Sequence, residues 1–528
     1  VTDENRLAKD SPFRVPVGFL AAFFAFAAVV GCVDFYFPDF SYRSRENDAT
    51  FFYVLFFILI ASDRERPILK RLVVTALAIL AAVGYGLLLH RLHPHITTGL
   101  LMERLFSNRA LYFTIGTIWL ASPLVLNRHA RYGAWLRAAG LLVLLFFLLR
   151  FASILSSRYT ARSFNDFTSE QALLVAFLFS WLRAAHHDPR VRRLSGTFFL
   201  YGLGILVVAG TGIGLLDLWG GETLRERLAA WSFIHVEQPG AEDFLPQRRL
   251  TFPRRIFNQT SYLGIAALFM FLISLFRVEK RRRRGCEWLA LITVAAAFCV
   301  LYFSSTRSAL VFGIGGLGLW LLLSIRVRWA LPAIVGLAAA GVILILLMPA
   351  PKRTFFVDAF KPAMYATEGP MTSMQERFLG WHWGVEVVRR FPLSGYGYGT
   401  RNIERIYNKY LESEEADSRL RVQRLAGRDF QHLHNLWVQT AAESGLPAAA
   451  ALLAFCLLRW TMLIRAWQTT RGGTRRRLAG WIALECVLFL LGMLFYMFRY
   501  NFGYFTWAIW IYALSEANEV LSEKQAKA

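Results

Sequence analysis

The chain has 528 residues, 56% of them hydrophobic and 15% aromatic, with a mean hydropathy of +0.40 and a formal net charge of +23. That apolar content exceeds the range of soluble domains, and several runs reach the roughly 20 residues needed to cross a bilayer core, so a soluble enzyme is excluded and a polytopic membrane protein expected. The basic excess, 59 Lys and Arg against 36 Asp and Glu, is assigned to inner loops and anionic membrane lipids rather than to nucleic acid, because net charge alone supports only non-specific binding.

From the N-terminus, the polar head VTDENRLAKDSPFR is placed inside, and the run from Val15 to Val33 is too long for the h-region of a cleavable signal, so it is expected as the first span. Further spans are predicted over 51–61, 72–89, 111–126, 138–155, 172–182, 198–216 and 262–276. The basic loops SDRERPILKR, NRHARYGAWLR, RAAHHDPRVRR and RVEKRRRRG then fall on one side, as the positive-inside rule requires. Trp288 to Ser324 is too long for one span and is read as an outward and a returning helix hinged at Ser304-Ser305-Thr306-Arg307. A span over 331–348 leads out to a long polar loop, and Leu436 to Leu458, Trp481 to Met497 and Phe505 to Leu514 complete the set. The expected architecture is all-α, with about 14 (12–14) transmembrane helices. Its divisions are an N-terminal membrane region 1–348, a large, mostly helical outer loop 349–434, C-terminal spans 435–516 and an inner tail 517–528. No internal repeat is visible, which disfavours a transporter built from obvious inverted repeats. Cys32, Cys286, Cys299, Cys456 and Cys486 contain no C-x-x-C, so neither a disulfide framework nor a cysteine metal site is expected.

Polar groups collect on the outer side of this map. In RRIFNQTSYLG, Arg254 and Arg255 precede Asn258 at the start of a span. This is either a polar cap with flanking charge or an anion cradle at a helix N-terminus. Arg307, in YFSSTRSALVF, stands between two apolar runs, where an arginine either snorkels or meets an anion. The long loop holds arginine clusters such as SRLRVQRLAGR, offset by Glu412, Glu414, Glu415 and Asp417. Within it SMQERFLGWHWGVEVVRRF, which contains Arg377, reads as an amphipathic helix with Phe378, Trp381, Val385 and Val388 on one face. FPLSGYGYGTRN follows as a glycine-rich turn that does not fit a nucleotide loop. In QHLHNLWVQTAAESGLPA, Asn435, Gln439 and Glu443 form one polar stripe of a helix, with His434 about 100° away from Asn435 and His432 at the loop edge. Capping and interfacial polarity explain these residues without a function, and an H-x-H metal site lacks supporting cysteines or tightly spaced acids.

These motifs resemble, in order, those of the bacterial O-antigen ligase and polymerase superfamily. HLHNLWVQTAAESGLPA is similar to its H-x-H-N…E-x-G-L signature, STRSAL to its outer-face arginine motif, MQERFLGWHWGV and SGYGYG to the opening of its large periplasmic loop, and RIFNQTSYLG to its asparagine-containing helix start. The resemblance spans roughly Arg254 to Leu446, while the earlier spans match in hydropathy alone. It implies a C-type membrane glycosyltransferase in the bacterial inner membrane, with a periplasmic active site. The donor would be O-antigen linked to undecaprenyl pyrophosphate, and in the ligase branch the acceptor is lipid A–core.

Carried over residue by residue, the resemblance makes His434 the general base, with His432 second. Arg307 and Arg377, assisted by Arg254 or Arg255, bind the pyrophosphate, while Asn435, Gln439, Glu443 and Asn258 support. No cofactor and no metal are called for. The same motifs leave open a polymerase, whose acceptor is a second lipid-linked glycan, and a protein O-oligosaccharyltransferase. The short tail expected after the last span disfavours the latter. A lipid-linked oligosaccharide flippase is the alternative of another class, but its charges are expected deeper, along a path through several spans.

Overall fold

In a bilayer each backbone N–H and C=O must find its partner within the protein, which restricts membrane-crossing chains to helices and closed barrels. The computed structural model describes residues 134–167, 307–325, 373–399, 432–494 and 502–525 continuously, with scattered positions in 18–22, 73–91, 191–215, 264–299, 332–346 and 402–408. All regular structure among the described residues is helical. The principal helices are α1 (Ala134–Ala152), α2 (Thr160–Phe167), α3 (Arg307–Ser324), α4 (Ser373–Arg390), α5 (Leu436–Thr469), α6 (Gly472–Gly492) and α7 (Phe502–Gln525). Among the described residues, two segments are long and apolar enough to cross a membrane: Ala134–Ser156, which is α1 with its closing 3-10 turn, and α5.

Helix α5 is the hub, packing against α1, α4, α6 and α7. Towards α7 the contact is aromatic. Phe455 lies against Trp507 and Trp510, and Trp507 also meets Phe146 and Phe147 of α1. Towards α6, Trp437 and Trp460 flank the ring of Phe489. Helix α3 packs on α6 in antiparallel fashion. The Trp320 indole N–H donates to the Arg476 carbonyl near the start of α6, and Gly316 lies against Val487 farther along it.

Three elements depart from their predicted limits, for one reason. Helix α5 runs eleven residues beyond the expected Leu458, α6 begins nine residues before Trp481, and α7 continues through the expected tail to Gln525. Apolar run length reports depth in the hydrocarbon, whereas a helix continues into the polar interface as long as its side chains find partners there. Here they do. The Arg475 guanidinium stacks on Trp467, Arg465 stacks on Trp135, and Arg477 pairs with Glu516 of α7.

The loop helix α4 forms as predicted, but its packed face is shifted. Gly380, Gly384 and Val387 are buried, while Val385 of the apolar face is exposed. The cause is backbone approach. A Cβ at Gly384 would stand 2.4 Å from Val438 Cγ1 and 2.7 Å from Leu433 Cδ1, so the glycine lets α4 lie directly on the start of α5.

Deep between α5 and α6, the Arg459 guanidinium grips the Glu485 carboxylate, Nε to Oε1 at 2.8 Å and Nη2 to Oε2, and stacks on Phe455 and Trp510. Both side chains are essentially inaccessible. Removing one charge strands the other, at a cost of about 3–5 kcal/mol, whereas an apolar replacement of both is often neutral. Glu485→Leu is therefore expected to lower the melting temperature of the purified protein sharply. Arg459→Met/Glu485→Leu should recover most of the loss, and a double variant that melts below the single one would contradict this account.

Candidate active site

The site is built around an interruption of α5. In a continuous helix the N–H of residue 446 bonds the carbonyl of 442, and that of 447 bonds 443. Residue 447 is proline, with no N–H to give, and Gly445 adopts φ 83°, ψ 166°. Two carbonyls and one N–H therefore leave the helical ladder. The turn after α4 supplies all three partners. Tyr396 N–H donates to the Ala442 carbonyl at 2.7 Å, Gly397 N–H to the Glu443 carbonyl at 3.1 Å, and Leu446 N–H to the Pro392 carbonyl at 2.7 Å. The glycines at the contact are required by space and by conformation. A Cβ on Gly395 (φ 67°) would lie 2.4 Å from the Glu443 carbonyl carbon, and one on Gly445 would lie 2.1 Å from the Leu393 oxygen. The turn's other side rests on the end of α1 and on α2, where Asn402 Nδ2 donates to Ser157 Oγ, Ser163 Oγ and the Tyr398 carbonyl.

The side chains at the interruption extend the lock. Arg150 of α1 donates from Nη2 to Glu443 Oε2 at 2.8 Å, both side chains being buried. The guanidinium also stacks on Phe146 and on Tyr398 of the turn, its Cζ 4.6 Å from the Tyr398 centroid. Beside it Ser153 Oγ reaches Ser444 Oγ at 3.2 Å. Glu443 Oε1 accepts from Gln439 Nε2 at 2.8 Å, and Gln439 Oε1 accepts from the Leu433 N–H at 2.9 Å. One continuous chain of bonds thus runs from α1, through α5, to the residue between the two histidines.

Helix α5 begins at Leu436, so Asn435 lies outside it. Asn435 is the N-cap, with Oδ1 accepting from Trp437 N–H and Val438 N–H and Nδ2 donating to the Met493 carbonyl at the end of α6. The sequence reading places Asn435 and His434 on the helix itself. Instead His434 stands in the left-handed region, φ 51°, which a non-glycine residue adopts where its surroundings fix it. This turn brings the His432 and His434 rings together, centroids 4.2 Å apart, both half-buried over a buried Leu433.

The arginines are placed as follows. Arg307 is the first residue of α3. Gly316 sits level with Val487, so α3 begins about 13 Å farther along the bundle and Met493 about 9 Å farther in the same direction. Arg307 therefore starts its helix at the end of the bundle that holds the Asn435–Met493 bond. Arg377 lies on α4, half-buried, two turns before Gly384 on the same face. Since α4 runs parallel to the start of α5, Arg377 lies about 10 Å from the Gly384 contact, farther from the interruption than the histidine loop. Arg254, Arg255 and Asn258 lie outside the described residues.

Residues 292–453 match the family model described as O-antigen ligase. The match shows that this segment is similar to that family. No curated protein matches the chain significantly. The superfamily segment includes α3, α4, the glycine-rich turn, the histidine loop and the interruption of α5. It does not include Arg150, the ion-pair partner of Glu443. Sequence reading missed that arginine, which sits in an otherwise apolar run, LLVLLFFLLRFA. The signal was a basic residue within the span expected over 138–155 and an acid, Glu443, within the span expected from Leu436.

The interruption gives a direct prediction. Gly395→Ala and Gly445→Ala each set a Cβ against backbone and impose a strained φ, so each should lose well over the roughly 1–2 kcal/mol that left-handed geometry alone costs an alanine. Gly472→Ala, also at positive φ (64°) but in open space, should lose only that smaller amount. Thermal melting of the three variants checks the order, and equal losses would mean that the turn does not depend on close approach.

Proposed function

We propose that this chain is an O-antigen ligase that transfers a glycan from undecaprenyl pyrophosphate to lipid A–core at the periplasmic face of the bacterial inner membrane. The likeness of residues 292–453 to the O-antigen ligase family supports a glycan-transfer reaction of this kind. The observation that carries the reading is the pair of adjacent imidazoles held in a fixed turn at the bundle end where α3 begins with Arg307 and where α4 brings Arg377.

In the proposed step, the acceptor hydroxyl oxygen attacks the anomeric carbon of the donor glycan. The bond from that carbon to the pyrophosphate oxygen breaks, and its electron pair leaves with undecaprenyl pyrophosphate. The hydroxyl proton passes to His434, since imidazole titrates close enough to neutrality to take it. His432, whose ring lies against that of His434, is the second candidate for the base. Attack from the face opposite the leaving group inverts the anomeric centre. Negative charge grows on the departing pyrophosphate, and Arg307 and Arg377, with Arg254 or Arg255, stabilise it. The first residue of α3 also stands where free backbone N–H groups favour an anion. Arginine supplies the electrophilic assistance, so the reaction runs without a metal. The arginine clusters of the 349–434 loop suit the phosphates of lipid A–core better than a neutral repeat unit.

The test is a reconstitution of purified protein with undecaprenyl-pyrophosphate-linked O-antigen and lipid A–core, with EDTA, resolved on a gel. Glycan joined to lipid A–core is expected. His434→Ala should lower the rate about 10²–10⁴-fold, and Arg307→Ala or Arg377→Ala about 10²–10³-fold. Lengthening of the glycan on its carrier, with lipid A–core untouched, would identify a polymerase instead. Movement of lipid-linked glycan across proteoliposomes without any transfer would identify a flippase.

A further inference from the structure

We propose that Arg150 is a positioning residue for His434, acting through Glu443, Gln439 and the Leu433 N–H. The proposal rests on the reading of His434 as the base, and it extends the site to a helix outside the superfamily segment.

A glutamine amide can face either way, and its two ends have opposite hydrogen-bonding character. Gln439 is buried between one acceptor, Glu443 Oε1, and one donor, the Leu433 N–H. Only one orientation satisfies both, with NH2 towards the carboxylate and the carbonyl oxygen towards the backbone. That orientation is fixed only while Glu443 is a carboxylate that accepts and does not donate. Arg150, at 2.8 Å from its other oxygen, provides that condition in a buried site. The sense of the amide is therefore set by a charge 293 residues away in sequence.

The end point of the chain is the backbone of Leu433, flanked by His432 and His434. The Leu433 N–H tie on one side and the Asn435 cap on the other bracket His434, whose left-handed φ requires such restraint. If Gln439 reverses, it turns an N–H towards the Leu433 N–H, the tie is lost, and the two rings change their relation. Small misplacements of a catalytic group cost about 100-fold in rate, so the loss falls on turnover and not on substrate binding. Arg150 touches neither reacting group. Its planar fork also stacks on Tyr398, so it registers the glycine-rich turn with the same carboxylate.

The experiment uses the full chain in nanodiscs. Arg150→Met alone would strand Glu443, so the main variant is Arg150→Met/Glu443→Gln, which removes both charges at similar volume. Gln439→Met is the second variant, since it keeps the ion pair and cuts the chain one step later. Two quantities are read on folded, monodisperse protein. The first is kcat and KM for undecaprenyl-pyrophosphate-linked glycan and for lipid A–core. The second is the rate at which diethyl pyrocarbonate modifies His432 and His434, measured by mass spectrometry.

We expect kcat to fall about 100-fold in both variants, with each KM within about twofold and the ratio of the two histidine modification rates changed severalfold. In a His434→Ala background neither variant should lower the rate further, because coupled groups are non-additive. Unchanged kcat per folded molecule, or unchanged modification rates, would overturn the proposal and leave Arg150 a packing residue. Should His434→Ala retain wild-type transfer, the assignment of the base fails. The modification rates then still decide whether Arg150 positions the histidines.

Discussion

The interruption of α5 at Gly445 and Pro447 is the constraint on which the rest of the site depends. It releases two carbonyls and an N–H from the helical ladder, and such backbone groups are costly to leave unpaired where they are buried. The glycine-rich turn answers with three backbone bonds of its own. A helix defect and a loop are thereby turned into one rigid junction. Because the partners are backbone atoms, the register between α4 and α5 does not depend on rotamers. Helix α4 is then held at two points, by this turn at one end and by Gly384 against Leu433 and Val438 in its middle. The position of Arg377 relative to the histidine loop follows from that geometry.

Buried charge is used at both ends of α5, with different connections. Arg459 and Glu485 form a pair that joins α5 to α6 and is surrounded by Phe455, Trp510 and the Cys456 thiol, to whose sulfur Arg459 also donates. Arg150 and Glu443 form an open pair, in which the second carboxylate oxygen is passed on to Gln439 and so to the histidine loop. Two buried ion pairs of similar chemistry therefore differ in what lies beyond them. The first ends in packing, whereas the second ends at a strained residue that the proposed chemistry uses.

Much of the helical content was legible because apolar run length and helical periodicity survive in any packing. Helix α4, the turn after it and the apolar run of α5 all appear where the sequence places them, although α5, α6 and α7 extend past their apolar runs because interfacial arginines find aromatic and acidic partners. The motif order was legible too, and the superfamily match covers most of it. What the sequence did not disclose is connectivity across space. Asn435, Gln439 and Glu443 read as one stripe of a helix, yet they have three different partners, namely the α5 N-terminus with Met493, the Leu433 backbone, and Arg150. Local periodicity states which side chains share a face. It does not state which helix that face meets.

A locked junction also suits the proposed reaction between two lipid-borne substrates. Both proposed substrates arrive tethered to membrane lipids, so their reacting groups are already confined to a narrow layer, and part of the entropy of bringing them together is removed before they bind. What remains for the protein is orientation over the last few ångströms. A mobile loop carrying the base would give that up. Here the proposed base, His434, stands between an N-cap and a hydrogen-bonded amide, and both anchors trace back to groups in other helices. At the interruption, the Ala442 and Glu443 carbonyls and the Leu446 N–H are already bonded to the turn after α4, which holds the junction in one register.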